Sequence, residues 1–338
     1  MSTTVSSRLP DGRVARVFTL VHRSIRVRVT DLGATLLEVS VPDRGGATAD
    51  ILIGPKQPAA HPAGGGSGPY AYMNATCGRV ANRIAGSGMT IDGRWVALAA
   101  NEGRHQLHGG PVGFDRAIWR TEDHGERHVT LSHVSPDGDQ GYPGELTATA
   151  TFRLEDEATL SIRYDARTTK PTHVNLVSHL YFNLSGIRGS TIDDHRLRIA
   201  ADAYLPIDAE GIPTGQIAPV AHTAFDFRVS RRIGDTLHGD DPAIAEARGY
   251  NHNFVLAAPH DAELFDPVSG RVMHLVTDQP GIQLYTGNFL CDGYRSHEAL
   301  CLETQAWPDA LHHPHFPPTR LDPGKSYRSE TILRFGCA

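Results

Sequence analysis

The run Ala299-Leu300-Cys301-Leu302-Glu303-Thr304-Gln305, closed by Ala306-Trp307-Pro308-Asp309, places one carboxylate inside an apolar stretch. Side chains alternate along a strand. Leu300 and Leu302 therefore face one way, and Cys301, Glu303 and Gln305 the other. Burying an unpaired charge is costly. Glu303 is then either ion-paired or a general base at the floor of a pocket, with a pKa raised by partial burial.

A second group comes from Thr172 to Leu184, read as one strand. Val174, Leu176, Ser178, Leu180, Phe182 and Leu184 form a core face. Asn175, Val177, His179, Tyr181 and Asn183 form the opposite, more polar row, suited to a hydroxyl-rich ligand. His179 sits in mid-row. It is either bonded within the sheet or a group that passes protons near neutral pH. In Asn101 to Gly110, His105 and His108 stand three apart before two glycines. No third ligand is spaced to complete a zinc site, so His108 reads as a site group and no metal is expected. His312-His313-Pro314-His315 reads as a surface loop. Arg83, in Cys77 to Ile84, could donate through its planar fork to sugar or carboxylate oxygens, or pair at a sheet edge. Gln283 and Tyr285 share a face in Gly281 to Phe289, where an amide can both donate to and accept from a hydroxyl.

The elements that must position these groups have a period of two. Residues 24 to 30 alternate as a half-buried strand does. Leu36 to Val41, Asp50 to Ile53, Trp95 to Leu98, His128 to Val134, Leu146 to Leu154 and Thr159 to Tyr164 are further strands. Gly, Asp and Pro turns separate them. One helix is signalled at Asp241 to Gly249, with Asp to cap it, Pro in its first turn and Gly to end it. Many strands with turn signals imply a sandwich or barrel. Residues 1 to 12 read as a flexible tail ending in a Pro-Asp-Gly turn, with a single domain over 13–338. The Pro/Ala/Gly/Ser run from 58 to 69 reads as a surface loop, since it lacks the Gly-Lys-Ser/Thr of a phosphate cradle.

The chain has 338 residues, 40% hydrophobic and 21% charged, with a formal net charge of -6. It shows no Lys/Arg-rich run, which argues against a nucleic-acid partner. No apolar run is long enough to span a membrane. No GxGxxG fingerprint supports a nucleotide cofactor. Four widely spaced cysteines and no visible secretory signal fit a reduced, cytoplasmic protein.

Taken together, the stretches resemble the aldose 1-epimerase (galactose mutarotase) family over roughly Val17 to Phe335. The matching runs are GRVANRIAG (78–86), LHGG with the following GF (107–114), SPDGDQGYPGEL (135–146), HVNLVSHLYFNLSG (173–186), YLPID and IPTG (204–215), TAFDFR (223–228), YTGNFL (285–290) and CLETQAWPDA (301–310). The resemblance implies a large antiparallel β-sandwich (a supersandwich) with very little helix, and interconversion of the anomers of a free aldose without cofactor or metal. It places Glu303 on the family's general base and His179 on its general acid. His108, Asn82, Arg83 and Gln283 fall on positions lining the sugar site. Gly249-Tyr250-Asn251-His252-Asn253-Phe254 departs from the family's pattern: Asn251 stands where a sugar-binding Asp is usual, a neutral amide that donates as well as accepts.

Three other readings are carried. A glycoside hydrolase would pair Glu303 with Asp309 or Asp226. A non-catalytic sugar-binding module would treat Asn251 as decay. A sugar-phosphate epimerase would need a cationic cluster that the sequence lacks beyond Arg83. The preferred monosaccharide, and whether the chain is a monomer or a homodimer, are not set by the sequence.

Overall fold

The structure, a computed structural model, describes residues 3–60, 72–155 and 158–338. Among these, strands are paired antiparallel in a nine-stranded, a six-stranded and a five-stranded sheet, with four two-stranded ribbons. The nine-stranded sheet runs Arg120–His124, His128–Ser135, Leu146–Leu154, Thr159–Thr168, Tyr327–Cys337, Arg271–Thr277, Asp261–Phe265, Arg196–Ile199, Arg231–Arg232. The six-stranded sheet runs Tyr181–Phe182, Leu300–Gln305, Gly281–Tyr285, Asn251–Leu256, Ala201–Leu205, Ala218–Pro219.

One hydrophobic core joins the two. Leu300, Leu302, Ile282, Leu284 and Phe254 from the smaller sheet share it with Ile162, Leu333, Leu275 and Leu264 from the larger. This consumes every second residue of the smaller sheet. Its other face is left to Glu303, Gln305, Gln283, Asn251 and Asn253. The alternation expected at Ala299–Gln305 is therefore observed: the leucines enter the main core, while Cys301 joins a separate cluster with Met73 and Tyr181.

The expected helix is present as Pro242–Glu246, capped by Asp241 accepting from the backbone N–H groups of Ala243 and Ile244. The only other α-helix among the described residues is the single turn Gly234–Leu237. None of the described helices is long and apolar enough to cross a membrane.

Two expectations are corrected. Thr3–Arg8 is not a loose tail but a strand paired with Val14–Thr19. Its Ser, Thr and Val side chains suit a strand, and the Pro10-Asp11-Gly12 turn closes the hairpin, with Gly12 N–H donating to the Leu9 carbonyl. Thr172–Leu184 is not one strand but three pairs of residues, Thr172–His173, Val177–Ser178 and Tyr181–Phe182, each bound to a different partner. Most of the expected 58–69 loop lies outside the described residues. Pro58–Ala60 form a 3₁₀ turn.

Arg79 joins two of the runs quoted above, 78–86 and 135–146. It is buried, and its guanidinium donates to the carbonyls of Pro143, Gly144 and Ser135 and to the Ser135 hydroxyl. The loop 135–146 is thereby tied to the segment 78–84, which carries Asn82 and Arg83.

Candidate active site

Three side chains converge above the outer face of the smaller sheet. Glu303 comes from Leu300–Gln305. His179 lies between the short strands Val177–Ser178 and Tyr181–Phe182. His108 follows the strand Gln106–Leu107, which pairs with Arg83–Ile84. One side-chain ligand atom from each lies within 4.8 Å of the others. His179 Nε2 is 3.6 Å from Glu303 Oε1. Glu303 is 2% exposed, and its Oε2 has no hydrogen-bond partner among the described residues.

Burial dominates the electrostatics. Desolvation pushes the Glu303 carboxyl up to about 8, and the Arg83 cation partly opposes it. Desolvation pulls the His179 imidazole down to about 4. His108 is driven well below the ordinary histidine value, first by burial and then by His179 and Arg83. Burial disfavours whichever form is charged, so the resting pair is a carboxylic acid beside a neutral imidazole.

The rings are held by packing. Tyr181 stacks on His179 at 5.0 Å and 10°. Tyr72 lies 4.5 Å from His108. Cys301 Sγ stands 3.4 Å from His179 Nδ1, which leaves Nε2 as the nitrogen facing Glu303. Asn82 and His108 brace each other: Asn82 N–H donates to His108 Nδ1 at 3.2 Å, and His108 N–H donates to the Asn82 carbonyl at 3.0 Å. Both residues adopt positive φ, 63° and 50°, a strained conformation that the reciprocal pairing sustains.

That pairing also limits what His108 can offer a metal ion. The three side chains have the spacing of a His/His/Glu ligand set, but Nδ1 of His108 spends its lone pair on a backbone N–H. The proton of the neutral ring must then sit on Nε2, which becomes a donor and not a ligand. His105, the other candidate ligand, accepts from Gly86 N–H at 3.1 Å through Nδ1 and is not part of the cluster.

Around this centre, Gln283 sits directly opposite Glu303 in the sheet register. Gln283 Nε2 donates to Asn251 Oδ1 at 2.9 Å. Asn82, Asn251, Asn253 and Gln283 line a small recess, which shares Ile207, Gly211 and Asn251 with an open cleft of ≈ 400 Å³. Arg83 lines the cleft and is clamped by Glu102 through two bonds of 2.6 and 2.7 Å. All seven sequence candidates thus occupy one region. The proposed hydrolase partners do not serve: Asp226 is bound twice by Arg228, and Asp309 accepts from Ala85 N–H and bonds His312.

Sequence reasoning missed Glu102, Asn253, Gln305, and Cys301 as the neighbour of His179. Gln305 and Cys301 carried a signal, since both lie on the Glu303 face. Glu102 carried none beyond its proximity to Arg83.

An all-β scaffold presenting a buried carboxyl–imidazole pair beside a floor of amides has the chemistry to move protons on a hydroxyl-rich molecule. The comparisons with known proteins agree. The aldose 1-epimerase family model matches residues 16–334. Galactose mutarotase of Bos taurus is 41% identical over 343 residues, 95% of this chain and 94% of its own. Aldose 1-epimerase of Escherichia coli K12 is 38% identical over 341 residues, 96% of each chain. Among solved structures, galactose 1-epimerase from Lactobacillus acidophilus is similar with a TM-score of 0.86 and 28% identity, over 100% of this chain and 99% of that one. An aldose epimerase homologue from C. elegans gives 0.87 and 27%, over 99% and 100%. The chain belongs to the aldose 1-epimerase family and is an isomerase.

Proposed function

We propose that Glu303 and His179 are the proton acceptor and donor with which this family member interconverts the α and β anomers of a free aldose. The observation that carries the reading is the 3.6 Å separation of His179 Nε2 and Glu303 Oε1. The two oxygens that exchange protons in mutarotation, the anomeric hydroxyl and the ring oxygen, are bonded to the same carbon. An acid and a base that serve them must stand close together.

The pair works with one proton between its two members. Ring opening starts once the shared proton has passed from the Glu303 carboxyl to Nε2 of His179, 3.6 Å away, leaving a carboxylate and an imidazolium beside the closed sugar. Glu303 takes the proton of the anomeric hydroxyl while Nε2 of His179 gives one to the ring oxygen. The bond from C1 to the ring oxygen breaks, leaving an aldehyde and a free hydroxyl. Glu303 is now protonated and His179 neutral. Rotation about the C1–C2 bond presents the other face of the aldehyde. Closure returns both protons, and the enzyme ends as it began. Burial favours the neutral pair that accompanies the open chain, and Arg83 favours the carboxylate from which ring opening starts. Each proton transfer by a positioned group is worth about 10²- to 10⁴-fold.

His108, fixed as an Nε2–H donor, and Asn82, Arg83, Asn251 and Gln283 hold the sugar's oxygens. The single experiment is a polarimetric or NMR measurement of anomer exchange across a panel of aldoses. Acceleration of at least one is expected. Tight sugar binding without acceleration would overturn the reading in favour of a binding module.

A further inference from the structure

Four amide side chains run in one direction across the outer face of the smaller sheet. Asn253 donates its Nδ2 to the backbone carbonyl of Phe254 at 3.2 Å. Its Oδ1 is thereby turned away and accepts from Gln305 Nε2 at 3.0 Å. The same Gln305 nitrogen reaches Gln283 Oε1 at 3.4 Å. Gln283 then has only its nitrogen left to offer, and it donates to Asn251 Oδ1 at 2.9 Å. A backbone carbonyl can only accept. The orientation of each terminal amide in the series is therefore set by the one before it.

Gly281 makes the series possible. It stands opposite Gln305 in the register, on the strand between Gln305 and Asn253. A Cβ there would lie 2.8 Å from both amide atoms of Asn253, in the path that Gln305 uses. The end of the series is Asn251, which lines the ≈ 400 Å³ cleft. Its oxygen is occupied. Its Nδ2 has no bonded partner among the described residues and is the atom left for a ligand.

We propose that this relay makes Asn251 a fixed hydrogen-bond donor to one oxygen of the sugar, so that the enzyme accepts aldoses in which that oxygen carries a substituent in place of its hydrogen. An ether-type oxygen can accept from Nδ2 but has nothing to donate, and the cleft beside Asn251 offers room for the substituent. Asn251 is in this sense a specificity-determining residue, with Gln283, Gln305 and Asn253 positioning it. The inference rests on the sugar site proposed above.

The test is anomer exchange measured by NMR with a parent aldose and, at each hydroxyl other than the anomeric one, its deoxy and O-methyl derivatives. At one position the wild-type enzyme is expected to keep its KM within about threefold for the O-methyl sugar, and to lose roughly three- to tenfold for the deoxy sugar, the weight of one neutral hydrogen bond. In Asn251→Asp the carboxylate can only accept. At that position alone the O-methyl sugar should then fall behind the parent, compared within the same variant, by about tenfold. The proposal is overturned if the wild type shows no position where O-methyl is kept and deoxy is lost, or if Asn251→Asp shifts every position equally. If no parent aldose is mutarotated at all, the acid–base reading fails and takes this inference with it.

Discussion

Asn82 donates its backbone N–H to Nδ1 of His108 at 3.2 Å, and this one bond fixes which nitrogen of a buried, neutral imidazole carries the proton. His108 faces His179 with ring centroids 5.2 Å apart. The cluster therefore sets a permanent donor beside the group proposed to exchange protons. Two neighbouring histidines thus differ in what holds them: a backbone N–H on His108 and the Cys301 sulfur on His179.

The first prediction follows from that bond. With Nε2 of His108 committed as a donor, only His179 and Glu303 remain as ligands, too few for a structural or catalytic zinc site. Exhaustive dialysis against a chelator should leave the mutarotation rate unchanged. A stoichiometric zinc ion bound by all three side chains, with activity lost on its removal, would contradict the tautomer.

Removing either proton carrier should cost most of the rate and little of the fold. Glu303→Gln and His179→Asn keep near-native volume but cannot pass the proton. Each should lower kcat by about 10²- to 10⁴-fold, with KM changed far less and an unaltered circular dichroism spectrum. Polarimetric rates near wild type in either variant would remove that residue from the mechanism.

The pH dependence follows from the two opposed shifts. The active form holds one proton on the pair. Below the His179 value of about 4 both groups are protonated and no base remains; above the Glu303 value of about 8 neither is protonated and no acid remains. A bell-shaped kcat/KM is expected, with limbs that belong to the pair as a unit. Arg83 is the cation that lowers the Glu303 value. Arg83→Leu should therefore move the alkaline limb to higher pH, besides weakening sugar binding. An alkaline limb that stays in place would show that Glu303 does not set it.

Much of this site was legible because its residues break local rules. A carboxylate among leucines at Glu303 and a polar row through His179 are visible without coordinates, and Leu146–Leu154 is the strand its alternation describes. What stayed hidden depends on distant partners. The stretch around His179 reads as one strand, since each side chain alternates correctly, yet its three short pieces bind Arg320–Leu321, Thr76–Cys77 and Leu300–Cys301 in turn. The direction of the amide relay is equally invisible. It depends on Gln305 meeting Asn253 across 52 residues of sequence, and on the absence of a side chain at Gly281. Thr3–Arg8 was missed for the opposite reason: an edge strand buries so little that its sequence resembles that of a tail.

The last prediction concerns stability. The folded-state pKa of Glu303 is raised from 4.5 to about 8. At pH below the unfolded value both states hold the proton, and the group costs nothing. As pH rises from there toward 8, the unfolded chain releases the proton while the folded chain retains it, so stability falls steadily. Above about 8 the loss is complete and levels off. Glu303→Gln removes the titration. The variant should match the wild type in thermal midpoint at acidic pH, then exceed it by a growing margin of a few degrees that becomes constant above the folded pKa. This is the gain expected when a buried ionisable group is replaced by a neutral one. His179 acts with the opposite sign: its lowered pKa, about 4 against an ordinary 6.5, destabilises the fold only as pH drops below neutrality. The difference between wild type and Glu303→Gln therefore isolates the carboxyl on the alkaline side. A margin that is flat from pH 5 to 9, measured by calorimetry at matched ionic strength, would mean that the carboxyl is not held protonated by burial.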